Sequence, residues 1–489
     1  MAWAGAGAGS TSVESQAKPR KPGDTAVPYA AGPDPPPWPK GNTVPATAPI
    51  AAPDRPAYRA WVLFMLILVY TFNFIDRQIV GILAPSIKAD LDLSDFQLGL
   101  MGGPAFALFY ATLGIPVARL ADRWSRTGVM TIALALWSGM TAMCGLVVSY
   151  WQLFLARMGV GVGEAGGVAP AYALVADYFP SNQRARALAV YSLGIPIGSA
   201  LAVGGGGVLS EALDWRTTFV IVGLMGVALA PLFRLTVREP VRGRFDPPAA
   251  SGDTAHPGFA DVLKVLVTKR SFWLLSLGGA SSSMMGYGLI FWLPSFFVRS
   301  FGDVLPGFFA WMPAVMLPTD PGAISFAGYF YAGILIIGGT LGVWFGGLLA
   351  DKLGARDRSA YARVPAIAFA VIIPFFVVGV LSASPFLAFI AFLIPQALSL
   401  MWLGPVLSAF QHLVPPRMRA TASAIFLLIN NLIGIGLGNA VIGLLSDSLA
   451  DRYGDESLRY SILVGTLFYA VASTLFFLAA KSLNRDWEG

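Results

Sequence analysis

Four ionisable residues lie inside long apolar runs: Asp76 and Arg77, within Asn73-Phe74-Ile75-Asp76-Arg77, and Arg157 and Glu164, seven positions apart. A charge at the centre of a bilayer costs about 2.5 to 3.5 kcal/mol, so such groups are expected to face a cavity or one another. Arg157 and Glu164 share one helix face about two turns apart. Arg77 lies about 100° around the helix from Asp76, so the two cannot both point at one partner. Taking Trp151 and Pro85 as outer boundaries, Arg157 lies about 9 Å deep, Glu164 about 20 Å and Asp76 about 13 Å. These depths predict that Asp76 meets Arg157. A carboxylate whose cationic partner can be withdrawn changes its hold on a proton, so the chemistry expected of Asp76, Arg157 and Glu164 is proton coupling. Asp76 and Glu164 could instead serve an intramembrane enzyme as acid and base, but no matched His or Cys joins them at depth, and the chain does not read as an enzyme.

The elements that hold these groups are membrane helices. Of 489 residues 56% are hydrophobic and 12% charged, the mean hydropathy is +0.66, and soluble domains carry about twice that charge. A bilayer core takes about 20 apolar residues per helix, and twelve such runs are predicted. The first six are 58–86, 95–118, 127–149, 151–178, 184–212 and 216–236; the others are 271–300, 325–350, 363–382, 385–411, 419–447 and 460–482. The expected organisation is a disordered tail (1–57), a six-helix bundle (58–236), a polar linker (237–270) with a short surface helix over 259–267, a second bundle (271–482) and a short end (483–489). The tail has no compact apolar segment with a small-residue cleavage site, so a removable signal peptide is not expected. Cys144 stands alone and excludes an internal disulfide framework, while His256 and His412 are too few for a metal site. No cofactor is implied. The glycines at 159, 161, 163 and 204–207 lack a following Lys-Ser/Thr, which favours close helix packing over a phosphate loop.

Two stretches share one pattern: Ala118 to Arg126, containing Asp122, Arg123 and Arg126, and Gly347 to Arg356, containing Asp351, Lys352 and Arg356. Further correspondences follow in the same order. Phe179-Pro180-Ser181-Asn182-Gln183-Arg184 resembles Val414-Pro415-Pro416-Arg417-Met418-Arg419, and Leu209-Ser210-Glu211 mirrors Leu445-Ser446-Asp447. The chain reads as one unit written twice. Lys and Arg gather in the loops after the second, fourth and sixth helices and their counterparts, whereas the opposite loops are acidic or nearly uncharged. By the positive-inside rule the basic loops and both termini are expected in the cytoplasm. The formal charge of +6 is then a topology signal, and nucleic-acid binding is not expected.

On these residues the chain resembles the major facilitator superfamily, whose two six-helix halves carry a G-x-x-x-D-R/K-x-G-x-R/K loop after helices two and eight. The first copy has Ala118 and Ser125 where glycine is usual; the second keeps Gly347 and Gly354. The resemblance implies an all-α multi-pass fold of twelve transmembrane helices in two pseudo-symmetric bundles, working by alternating access. It also implies a gating role for Asp122, Arg123, Arg126, Asp177, Asp351, Lys352 and Arg356, with the motif aspartate contacting a neighbouring helix end. Asn73 to Arg77, Arg157 to Ala165, and Asp177 before Phe179-Pro180 are similar to the spinster branch, whose members move lysolipids and sphingolipids. The anion-cation symporter branch carries a related first-helix stretch, so small organic anions stay open as substrates.

The cores of the halves differ. The first carries Asp76, Arg77, Arg157 and Glu164 at depth; the second offers Ser281 to Ser283, Tyr287, Gln396, Asn430 and Asn431. One charged wall and one apolar wall suit an amphipathic molecule. Its head is expected near Arg77, Arg157, Glu164 and Asn73, and its tail against Phe291, Trp292, Trp402 and Phe426, beside Asn430. The partners expected are an amphipathic or lipid substrate, protons and the bilayer, for a monomer in a bacterial inner (plasma) membrane.

Overall fold

A computed structural model describes residues 55–245, 259–313, 317, 321–354, 357–399, 401–415 and 418–488. The expected tail therefore lies outside the described residues up to residue 54, as does 246–258 of the linker. All regular structure among the described residues is helical. The first half comprises α1 (Pro56–Leu91), α2 (Asp95–Gly102, then Pro104–Arg123), α3 (Arg126–Cys144), α4 (Tyr150–Glu164, then Val168–Tyr178), α5 (Ser181–Ser192, then Gly194–Ala212) and α6 (Trp215–Thr236). The second comprises α7 (Arg270–Phe301), α8 (Ala323–Gly354), α9 (Ala360–Leu381), α10 (Pro385–Leu398, then Leu403–Gln411), α11 (Arg419–Tyr453) and α12 (Ser457–Gly465, then Leu467–Asp486). The linker helix spans Phe259–Val267, as the sequence predicts. Among the described residues nine helical stretches are long and apolar enough to cross a membrane, the last of them, Thr421–Asp486, holding both α11 and α12. The broken helices α4 and α10 complete the twelve passages.

Helix ends follow local chemistry. Ser94 and Gln97 form a reciprocal capping box at the start of α2. Pro104 has no N–H to donate and follows Gly103, so α2 breaks there. Gly166 and Gly167 interrupt α4 between its charged and apolar turns. The final helix runs on to Asp486 rather than stopping near 482, and Trp487 stacks on His412 at 4.4 Å, which ties the chain end to α10.

Within each half, α1 packs on α5, α3 on α6, α7 on α11 and α9 on α12. Between halves, α2 packs on α11 and α5 on α8. The approach is close because glycine faces backbone: a Cβ on Gly99 would lie 2.4 Å from the Asn439 carbonyl oxygen, and one on Gly328 would lie 2.4 Å from that of Val203. These crossings gather toward the acidic-loop end. One hydrophobic core accordingly runs from the second half into that end of the first, joining Leu83, Leu98 and Phe219 to Phe296 and Ile442. A separate core, with Trp137, Tyr178 and Phe233, fills the basic-loop end of the first half.

Candidate functional site

Asp76 and Arg77 occupy successive positions on α1 and turn to different neighbours. Arg77 reaches α4, where its Nε donates to Glu164 Oε2 at 2.6 Å. Its guanidinium also lies 4.5 Å from the ring centre of Tyr110 and 5.0 Å from that of Phe106, an aromatic bed that favours a cation. The Asp76 carboxyl lies in the interior of the first half with Thr141 and Trp137 of α3 beside it, and it forms no hydrogen bond in this geometry. Arg157 arrives from α4, but its Nη1 donates to the main-chain oxygen of Asp76 at 3.3 Å.

The predicted ion pair between Asp76 and Arg157 is therefore not formed. The two residues meet through the carbonyl, and the ion pair runs instead between Arg77 and Glu164. Counting residues along two helices fixes height, not the direction in which each side chain leaves its axis. The short aspartate cannot correct a wrong direction, whereas the long arginine side chain bridges the difference in depth between positions 77 and 164. That reach was the signal in the sequence that could have revealed the pair.

The pair is single-pronged. Arg77 Nη2 and Glu164 Oε1 have no hydrogen-bond partner, and nor do Arg157 Nε, Gln78 Oε1, Asn439 Oδ1 or the amide atoms of Asn73. Buried polar atoms are ordinarily paired, so this concentration marks out a candidate site. A small cavity of about 40 Å³ between the halves borders it. Arg77, Gln78, Phe106 and Arg157 line one wall, and Tyr287, Phe291, Ile435 and Asn439 the other.

Phe291 is thus the predicted tail-binding residue that faces this cavity, with its ring against Gly102 of α2. Trp292, Trp402, Phe426 and Asn430 are buried in the second half's own packing instead. Trp292 Nε1 donates to the Asn439 carbonyl at 2.9 Å, and Asn430 Oδ1 accepts from Ser283 at 2.9 Å. Trp402 and Phe426 pack with Phe369, Phe410 and Phe476. Helical faces that bury aromatics against a neighbouring helix and those that line a cavity have the same composition, so sequence could not separate them. Gln78, Phe106 and Asn439 were missed for the same reason.

At the basic-loop end Arg126 pairs with Asp177, which also accepts from the Gly243 N–H at 2.9 Å. Arg242 donates to the Ala121 carbonyl at 3.2 Å, at the turn before α3. The Glu239 carboxylate sits on the start of α3, accepting from the N–H groups of Arg126 (3.0 Å) and Thr127 (2.8 Å) and from Ser125 Oγ (2.9 Å). Partial burial pushes the Glu239 carboxyl up, but the hydrogen bonds from Thr127, Arg126 and Ser125 outweigh it and hold the group below the usual range. Asp122 and Arg123 are exposed, and Asp122 forms no hydrogen bond or ion pair with a described residue. The side chains of Asp351 and Lys352, and all of Arg356, lie outside the described residues.

The acidic-loop end carries an ion-pair cluster between the halves. Asp95 accepts from Arg299 of α7 at 2.7 and 2.9 Å, from Lys88 at 2.6 Å and from Ser446 of α11 at 2.7 Å. No sequence motif singled out Arg299 or Lys88.

The sequence matches the Major Facilitator Superfamily model over residues 66–439. It is 36% identical over 430 residues to an MFS-type efflux pump of Mycolicibacterium smegmatis, covering 88% of this chain and 94% of that protein. It is 27% identical over 445 residues to protein spinster homolog 1 of Homo sapiens, covering 88% and 82% respectively. A bacterial homologue of the human lysosomal transporter spinster, solved in an inward-facing, unoccupied conformation, is 31% identical and superposes with a TM-score of 0.77, over 89% of this chain and 99% of that one.

Proposed function

This chain belongs to the Major Facilitator Superfamily as a spinster-like, multi-pass membrane transporter, and from that premise we propose that it moves an amphipathic, lipid-like substrate of lysolipid or sphingolipid type by proton-coupled alternating access. The single observation that carries this reading is the division of the cavity. Arg77 and Arg157 offer cations on one wall, and Phe291 and Ile435 offer apolar surface on the other. The closed space is about 40 Å³; once the halves part, a charged head beside the arginines and a chain against the second half would satisfy both walls.

The unequal surroundings of the carboxylates support proton coupling. A proton reaching Glu164 breaks the ion pair with Arg77, while one reaching Asp76 breaks none. An anionic head that draws Arg77 toward itself would free Glu164, which links substrate and proton in one site. We read the closed acidic-loop end as the outer face, in keeping with the inward-facing relative, and propose that both termini face the cytoplasm of a bacterial inner membrane. The monomer is taken as the working unit. The relative described as an efflux pump favours export.

The test is flux of a fluorescent lysolipid across proteoliposomes under an imposed pH gradient. Gradient-dependent transport is expected, with loss of the gradient response in Asp76→Asn and in Glu164→Gln; an undiminished response in both variants refutes the coupling role. A compact organic anion could also lie between Arg77 and Arg157. Competition by a short dicarboxylate, and none by lysolipid, would establish that reading instead.

A further inference from the structure

We propose that Glu211 and Asp447 are paired positioning residues that latch the halves together at the acidic-loop end. Glu211, at the end of α5, accepts from the N–H groups of Gly322 and Ile324, both at 2.8 Å, where α8 begins. Asp447, near the end of α11, accepts from the N–H groups of Asp95 (3.0 Å) and Phe96 (2.7 Å), where α2 begins. Each carboxylate comes from one half and each helix start from the other.

The first N–H groups of a helix have no partner within it and carry its positive dipole end, so a carboxylate placed there makes charge-assisted hydrogen bonds. Those bonds exist only while the halves touch at this end. Their energy therefore counts toward one conformation and not the other, as a conformational bias requires. The two latches are copies of one device. Leu209-Ser210-Glu211 and Leu445-Ser446-Asp447 correspond in the internal repeat, and so do α8 and α2.

The seats are close. A Cβ on Gly322 would lie 2.5 Å from Glu211 Oε1, so alanine there would push the flexible carboxylate off its seat. At the other latch, Gly443 of α11 brings its Cα against the Asp95 carbonyl, where a Cβ would lie 2.3 Å from the oxygen. The Asp95 cluster with Arg299 and Ser446 reinforces that second latch.

The proposal rests on the reading of the chain as a two-state carrier, and its test reads conformation without substrate or gradient, so failed lipid flux has no bearing on it. Spin labels at Leu213 and Asp451, in the full chain with Cys144→Ala in nanodiscs, report the distance across the acidic-loop end. Glu211→Gln and Asp447→Asn are each expected to raise the open-to-closed ratio about tenfold, and the double variant about a hundredfold. Gly322→Ala should match Glu211→Gln, breaking the same latch from the opposite half, so a variant that fails to fold leaves the other to decide. Asp90→Asn is the control, because its ion pair with Arg216 stays within the first half, and it should leave the distribution unchanged. Unchanged distances in the double variant and in Gly322→Ala, or an equal shift in Asp90→Asn, would overturn the latch.

Discussion

Replacing either member of the Arg77–Glu164 pair should destabilise the protein unequally. Glu164 is fully buried and Arg77 is 11% exposed at the side chain, so solvent does little to soften the loss. Removing one partner of a buried pair costs about 3 to 5 kcal/mol, because the other charge is stranded. Arg77 is not left bare when Glu164 goes, since the rings of Tyr110, Phe106 and Phe74 still face its guanidinium at 4.5, 5.0 and 5.3 Å. At roughly 1 kcal/mol for each of the two nearer rings, that bed lowers the cost of Glu164→Gln to about 2 kcal/mol. Glu164 keeps only the more distant charge of Arg157, its Oε1 being unpaired, so Arg77→Met should cost about 4 kcal/mol. The double variant strands neither charge and loses the ring contacts plus one buried polar group, for about 3 kcal/mol. The resulting coupling is about 3 kcal/mol, read from equilibrium unfolding in mixed micelles. A coupling below about 0.5 kcal/mol, or a Glu164→Gln penalty equal to that of Arg77→Met, would refute the assignment of the pair and of its aromatic bed.

Acidification should release the Glu239 cap on α3. The folded group sits below its unfolded value, so its stabilisation is complete above a pH of about 4.3 and is lost as pH falls through the folded value. Because the residue is largely exposed, the effect should stay under about 1 kcal/mol, and melts between acid and neutral pH should show a smaller acid loss in Glu239→Gln than in the parent. Gly161→Ala should cost about 2 kcal/mol or more, since its Cβ would lie 2.5 Å from the Phe106 carbonyl oxygen, whereas Gly114→Ala meets nothing within 4 Å and should be neutral or mildly stabilising; thermal melts in detergent compare them. Trp402→Ala should lower stability by about 3 to 5 kcal/mol with little change in the apparent KM of the folded fraction. Tyr287→Leu, on the cavity wall, should raise KM at near-parental stability, and the reverse pattern would return Trp402 to the binding surface.

Much of the architecture is legible in the residues because membrane helices are specified locally. Twenty apolar residues with every backbone group bonded inside the segment form a passage whatever surrounds them, and the repeated Asp122 and Asp351 loops relate the halves before any contact is known. The linker helix at 259–267 shows the same locality at small scale. The chemical site was legible as a set of residues and not as a set of contacts. Asp76, Arg77, Arg157 and Glu164 stand out because charge is costly among leucines and valines, and the structure gathers all four near one another. Which of them bonds to which depended on the angle each side chain makes with its own helix axis.

The same limit separates Phe291, on the cavity, from Trp402, in the packing. It also hid the closure at the acidic-loop end, where Glu211 and Asp447 read as ordinary acidic residues at helix ends and find their donors more than a hundred residues away in sequence. Sequence by itself determined which segments cross the membrane and that they form two related halves, since hydropathy and repetition act along the chain. Only the tertiary structure decided which charges pair and where the halves meet, because hydrogen bonds and ion pairs depend on distances of an ångström or so between helices whose relative rotation no local pattern records.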